Sequence, residues 1–216
     1  MAGARITALP MNGRASCGTI RPTDCGATAS RAHGQRRGGW CAVDLGSALW
    51  EELANRPVAG RVSDWATALG FYSRRAENAS EAARDAGVPV STWRRWLKGA
   101  IPRANRAASI VAAARSSQAR GRLSHRREQR YRDSTDLVVK GRWQYAPGQP
   151  RHVGLGSYLV EGWADAVVDA FLAGGSPAEL HETLHGFIYG SQWYEQTFDP
   201  RAPAGSGWDV TAIEWE

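Results

Sequence analysis

Hydrophobic periodicity begins near Asp44 and continues, with interruptions, to the last residues of the chain. In LGSALWEELAN, Leu45, Leu49 and Leu53 recur at the helical step with Trp50 beside them, which predicts an amphipathic helix. VSDWATALGFYSRRAE repeats that signature with Val62, Trp65 and Leu69. Two short helices are expected over 80–86 and 91–98, separated by Gly87. RANRAASIVAAARSS predicts an Ala-rich helix anchored by Ile110 and Val111. The glycine-broken RGRLSHRREQRYR that follows, ending at Arg132, offers no apolar face and reads as a linker or an arm.

Beyond it the pattern changes. DLVVKGRWQYAPG is β-branched and aromatic and stops at Pro147-Gly148, so it predicts a strand and a turn. YLVEGWADAVVDAFLAGG sets Leu159, Trp163, Val167 and Phe171 on one helical face and ends at Gly174-Gly175. SPAELHETLHGFIYG opens on a capping box between Ser176 and Glu179, with Pro177 at the first helical position. WDVTAIEWE predicts a last strand. Strands over 137–145 and 208–215 are expected to pair, covered on one face through Leu159, Trp163, Val167, Phe171, Leu180, Leu184 and Phe187. The expected architecture is mainly α: a helix-turn-helix domain over 44–117, a basic linker over 118–135, and a small acidic α+β domain over 136–216. Residues 1–43, rich in Gly, Ala, Arg, Thr and Ser without period, predict a disordered leader.

Charge sharpens this division. Of 216 residues, 27 are Lys or Arg and 21 Asp or Glu, a net +6. Residues 94–132 hold twelve Lys or Arg and one acid, Glu128, whereas 160–216 hold ten acids and one base, Arg201. That asymmetry points to a polyanionic partner for the basic half alone. No apolar run reaches the ~18 residues of a membrane span, and no signal-peptide core is present, so a cytoplasmic, nucleoid-associated protein without a membrane partner is expected. Cys17, Cys25, His33 and Cys41 fall eight residues apart, but zinc knuckles are built from close CxxC pairs, so these read as unpaired cysteines rather than a metal site.

The segment SEAARDAGVPVSTWRRWLKG has the parts of a helix-turn-helix. Ala83 is the small residue at the close approach, Gly87 the turn, Val88 the plug, and Trp93 and Trp96 the buried ridge. Ser91 or Thr92 would cap the second helix. Thr92, Arg94, Arg95 and Lys98 then face outward, and arginine pairs bidentately with guanine edges. A helix so furnished lies in the major groove with its N-terminal residues reading bases. The competing reading is an ordinary helical hairpin with a solvated basic face; the basic excess beyond it favours DNA. Arg103, Arg106 and the arm residues Arg120, Arg122, Arg126, Arg127, Arg130 and Arg132 are expected to contact phosphates.

Taken in order, GVPVSTWRRWLKG, an Arg-rich helix, KGRWQYAPG, an acidic helical pair around GGSPAEL and a terminal WDVTAIEW resemble the terminal proteins (Tpg type) that cap linear chromosomes and plasmids of actinobacteria. The resemblance covers roughly residues 45–216. It implies a protein that binds telomeric DNA and is covalently joined to its 5′ ends, where a side-chain hydroxyl primes replication. The chain would be the acceptor rather than an enzyme, with no cofactor of its own. Its implied partners are double-stranded and terminal DNA, a DNA polymerase and a companion telomere-binding protein. The family's linkage threonine lies between the helix-turn-helix and the acidic helices. Here that interval offers Ser134 and Thr135, with Ser157 and Tyr158 outside it; Val139 and Gly141 stand near where another threonine is expected.

Other functions fit parts of the pattern. A helix-turn-helix regulator of a plasmid or phage would dimerise through the acidic half and bind a palindrome with half-sites ~34 Å apart. HETLH matches the HExxH helix through His181, Glu182 and His185, but no downstream third ligand stands out beyond Glu195. Asp165 and Asp169, four residues apart, read as a solvated acidic face.

Overall fold

The computed structural model describes residues 44–143, 151–189 and 208–216; the leader with its cysteines and His33, the Pro147-Gly148 turn and Glu195 lie outside them. Among the described residues the chain is mainly helical, with eight α-helices and a small antiparallel sheet near the C-terminus. Two hydrophobic cores organise these elements within one compact unit over 39–216.

The first helix, α1 (Leu45–Ala54), starts where Asp44 accepts a hydrogen bond from the Ser47 N–H and ends at Asn55, whose φ of 52° turns the chain. Helix α2 (Trp65–Arg75) carries a reciprocal capping box between Asp64 and Thr67. Asn78 caps α3 (Ala79–Asp85), and α4 (Val90–Leu97) follows a short turn. The chain then runs through α5 (Ala104–Arg122) and α6 (His125–Arg132) into β1 (Leu137–Trp143) and β2 (Arg151–Gly154). Helices α7 (Trp163–Leu172) and α8 (Pro177–His185) precede β3 (Trp208–Trp215). Single 3₁₀ turns sit at Val58–Gly60 and Gly156–Tyr158.

The sheet has the order β2-β1-β3, with Val139 opposite Ile213 on one side and Val153 on the other. A bulge between Lys140 and Gly141 shifts the β1–β3 register. The pairing of the 137 and 208 segments follows the sequence pattern; β2 is an additional strand whose four residues gave too short an alternation to read. The Ser176–Glu179 capping box forms as expected, the Glu179 N–H donating to Ser176 Oγ at 3.2 Å and the Ser176 N–H to the Glu179 carboxylate at 2.5 Å. That backbone bond holds the Glu179 carboxyl below the usual range.

The larger core joins the sheet to α1, α7 and α8, with Leu49, Leu53, Leu137, Val167, Phe171, Leu180 and Leu184 fully buried. Trp50 meets Phe171 edge-on at 5.8 Å, and Trp163 stacks on Trp215 at 5.0 Å. The expected grouping of α1 with the helix-turn-helix segment is therefore corrected: its Leu45/Leu49/Leu53 stripe packs on the C-terminal elements. The second core spans Val62 to Ala114 and centres on Trp93, with Trp96, Tyr72, Phe71, Ile110 and Val111 around it.

The expected 118–135 linker is also corrected, because it is helical and anchored. Ala119, Leu123 and Tyr131 are buried in the larger core, and Gly121, read from sequence as a break, lies inside α5. Nineteen residues long, or about 28 Å at ~1.5 Å per residue, α5 gives Ile110, Val111 and Ala114 to one core and Ala119 to the other. It is the spine of the molecule. Arg115 donates from Nε to Val62 O and from Nη2 to Ser63 O, and Ser116 Oγ donates to Ala173 O at 2.6 Å.

Tyr131 illustrates how the linker reading failed: one aromatic in an Arg-rich stretch is enough to dock it. Its hydroxyl donates to a Glu52 carboxylate oxygen at 2.8 Å and accepts from Arg127 Nη2 at 2.7 Å, while its ring lies 4.9 Å from Trp215. Burial and the Glu52 bond push the phenol up to about 12. The folded pKa exceeds the unfolded value of about 10, so this hydroxyl's contribution is fully present below pH ~10. It is lost as pH rises from about 10 to 12. Chemical denaturation at stepped pH should show that decline in the native chain and a shallower one in Tyr131→Phe; parallel curves would contradict it.

Candidate nucleic-acid interface

Helices α3 and α4 fold against each other around the expected residues, each starting and ending one residue earlier than the sequence pattern indicated. Ala82 and Ala83 are buried at the crossing, where their size allows close approach. Gly87 takes φ of 66°, a conformation that favours glycine, and the Val88 N–H returns to Ala83 O at 2.8 Å. Val88 is buried behind the turn, and Trp93 and Trp96 fill the inward face of α4. Trp96 meets Trp65 edge-on at 5.0 Å, which fixes α4 against α2.

The opposite face is polar and cationic. At about 100° per residue, Ser91, Arg94, Arg95 and Lys98 fall within one sector of about 100°, across from the two tryptophans, with Thr92 on its flank. All four are exposed and Thr92 is half-buried. Among the described residues, Arg94, Arg95 and Lys98 make no ion pair. Neither Ser91 nor Thr92 caps the helix, correcting that expectation: the N-cap position is Pro89, which has no side-chain acceptor, and both residues lie in the first turn. The first-turn N–H groups are thus left for an outside acceptor, and a helix N-terminus favours an anion there.

Beyond α4 an open groove of about 670 Å³ is lined by Arg95, Trp96, Ile101, Arg103, Asn105 and Arg106. Arg103 is exposed at the N-cap of α5. Arg106 has a further task, since its Nη2 donates to Gly87 O at 2.9 Å and ties the turn to α5. The sequence reading missed Leu97 and Ile101, 49% and 84% exposed beside these cations. Their only signal is position, two aliphatic residues just past the cationic sector.

The expected basic arm splits in two. Arg120, Arg126 and Arg130 are exposed, whereas Arg122, Arg127 and Arg132 are bound into the fold. Arg127 donates to Glu52 O at 2.7 Å. Arg132 gathers Glu128, Asp165 and Asp169 at 3.0, 2.8 and 2.6 Å, the Asp169 bond foremost pushing its pKa up. Arg122 binds Gly60 O through Nη2 and keeps Nη1 without a hydrogen-bond partner among the described residues, whereas for Arg127 and Arg132 the phosphate-contact expectation gives way to internal partners. The same contacts show what Asp165 and Asp169 do: they dock α7 on α6.

The two hydroxyls between α6 and β1 differ. Ser134 Oγ donates to Arg130 O at 3.0 Å and so closes the end of α6. Thr135 is exposed, and its side chain makes no hydrogen bond among the described residues. Its backbone N–H donates to Glu216 O at 2.6 Å, so the segment is pinned beside the edge of β3 rather than hanging free. His181 is buried and its ring lies 6.5 Å from that of His185. Among the described residues no three His, Cys, Asp or Glu side chains gather as a metal would require. No helix among them is long and apolar enough to cross a membrane.

No protein-family model, curated protein or solved structure matches the chain.

Proposed function

We propose that this protein binds duplex DNA through a helix-turn-helix formed by α3 and α4, and that it acts at the ends of a linear replicon as a terminal protein. The observation that carries the DNA reading is the sector of α4 holding Ser91, Arg94, Arg95 and Lys98, free of ion pairs among the described residues and opposed by a packed tryptophan face. A solvated helix has no need of two buried tryptophans to fix the direction of two unpaired arginines. Arg94 and Arg95 read guanine edges, Ser91, Thr92 and Lys98 flank them, and Arg103 and the α4 N-terminus hold phosphates. Arg106 acts through the turn that it fastens.

In the terminal reading, supported by the motif order rather than by the fold, Thr135 is the acceptor and Ser134 is not, because Ser134 is committed to the end of α6. Thr135 Oγ attacks the α-phosphorus of a nucleoside triphosphate held by the partner polymerase. The new bond is a phosphodiester to Oγ, the bond between the α-phosphorus and its bridging oxygen breaks, diphosphate leaves, and the hydroxyl proton passes to solvent or the polymerase. The metal ions that activate the hydroxyl are the polymerase's.

Fluorescence anisotropy on duplex DNA tests the first step. Arg94→Ala and Arg95→Ala are each expected to weaken binding to the preferred site about tenfold or more, since a good bidentate base pair is worth ~1–3 kcal/mol. Unchanged affinity in both variants sinks the α4 assignment. Incubation with labelled nucleotide, polymerase and terminal DNA tests the second: detergent-resistant label on the wild type and on Ser134→Ala, lost in Thr135→Ala, is expected. Tight palindrome binding with no label on any variant instead favours a regulator.

A further inference from the structure

A second cationic groove lies away from α4, where the loop after α1, the end of α2 and the end of α5 converge. It measures about 590 Å³ and is lined by Arg56, Arg74, Arg75 and Arg122, with Gln118 and Gly121 between them. Among the described residues no carboxylate lines it. Among the described residues none of the four guanidinium groups makes an ion pair.

Two of these cations are fixed in place. Arg122 Nη2 donates to Gly60 O at 2.8 Å while its guanidinium lies 5.2 Å from the Trp50 ring centre. Its Nη1 is buried with no hydrogen-bond partner among the described residues. Arg75 lies over Phe71 at 5.0 Å. A side chain at Gly121 would stand 3.6 Å from Arg75 Nη1, so glycine there leaves the approach open. Gln118 supports the loop, donating to Gly60 O at 2.9 Å and accepting from Val62 N at 3.0 Å. Arg56 and Arg74 are exposed at the rim and make no side-chain hydrogen bond among the described residues.

Four like charges gathered without a counterion repel one another, and buried donors without acceptors are rare in native folds. The Arg122 guanidinium shows the effect, its pKa lowered by burial and then by Arg56. Guanidinium forks match the oxygens of phosphoryl groups, and the groove exceeds the size of one such group. We propose that this groove is a binding site for adjacent phosphoryl groups, gripped by Arg56, Arg74, Arg75 and Arg122. The phosphoryl groups come either from a free diphosphate or from successive phosphates of a nucleic-acid backbone. The site does not depend on the reading of α4.

Inorganic pyrophosphate is the probe, added to the full chain at ionic strength matched with chloride. Expected is a rise of several degrees in the unfolding midpoint for the wild type and for Arg94→Ala/Arg95→Ala. Arg56→Gln/Arg74→Gln, whose side chains hold nothing else in the fold, should unfold normally without the probe and bind it about tenfold more weakly or worse. If pyrophosphate has no effect but Arg56→Gln/Arg74→Gln weakens duplex binding of the Arg94→Ala/Arg95→Ala protein, the phosphates are those of the nucleic-acid backbone and the site stands. If neither ligand distinguishes Arg56→Gln/Arg74→Gln from its parent, the proposal is overturned, whatever α4 does.

Discussion

Replacing Trp93 by alanine is expected to cost about 3–5 kcal/mol and to abolish DNA binding together with the native near-ultraviolet signal of the 62–114 core. Trp93 is fully buried. It sits 6.2 Å from Tyr72 and 6.1 Å from Trp96, both edge-on, so it joins α2 to α4. Its Nε1 is buried with no hydrogen-bond partner among the described residues, which leaves packing as the source of its contribution. Trp93→Phe keeps an aromatic ring and removes that N–H, and should therefore cost distinctly less than Trp93→Ala. Equilibrium denaturation followed by circular dichroism compares the two. Equal losses would mean that the indole is not held by its shape, and a loss below ~1 kcal/mol in Trp93→Ala would show that α4 is not packed as described.

The second large effect is expected at Gly174. This residue ends α7 with φ of 90°, and a Cβ there would lie 2.6 Å from Arg115 Cβ and 2.8 Å from Ser116 N on α5. The obstruction is largely backbone and cannot swing aside. It falls where Ser116 Oγ bonds Ala173 O, the joint between the spine and the larger core. Gly174→Ala combines ~1–2 kcal/mol of left-handed strain with ~1–3 kcal/mol of overpacking, for a total of about 2–5 kcal/mol. Gly87→Ala provides the contrast. Its φ is 66° but nothing lies within 4 Å of the added carbon, so only the strain, about 1–2 kcal/mol, is expected. Thermal melts of both variants read the difference directly; Gly174→Ala melting no lower than Gly87→Ala would contradict the close α5–α7 approach.

Local chemistry in the sequence carried the element boundaries well. The Ser176-Pro177-Glu179 cap, the Gly174 stop and the Ala83-Gly87-Val88-Trp93 succession each depend on neighbouring residues and appear where the pattern puts them. What did not follow was allegiance between distant elements. The apolar stripe of α1 says that it packs, not that it packs against α8 and β3 rather than α2. The 118–135 stretch looked solvated because its charges hide three anchors, Ala119, Leu123 and Tyr131. Its arginines looked alike, yet Arg122, Arg127 and Arg132 find carbonyls and carboxylates contributed by other elements. The α4 site was legible because it is local. The Arg56/Arg74/Arg75/Arg122 groove was not, because three elements build it.

In sequence, the 62–114 core falls between α1 and the rest of the larger core, and this fixes an order of events during synthesis. Every residue of the smaller core is translated within one short interval, so it can close while the ribosome is still working. Leu45, Leu49, Trp50 and Leu53 have no such opportunity, since their partners include Val210, Ile213 and Trp215. About 160 residues separate α1 from the end of β3. At ~5–20 residues per second the part of the α1 face that β3 covers waits roughly 8–30 s for its partner in each nascent chain. The smaller core is thus built to be independent of the ribosome's pace, and α1 is the segment that a nascent-chain chaperone would have reason to hold.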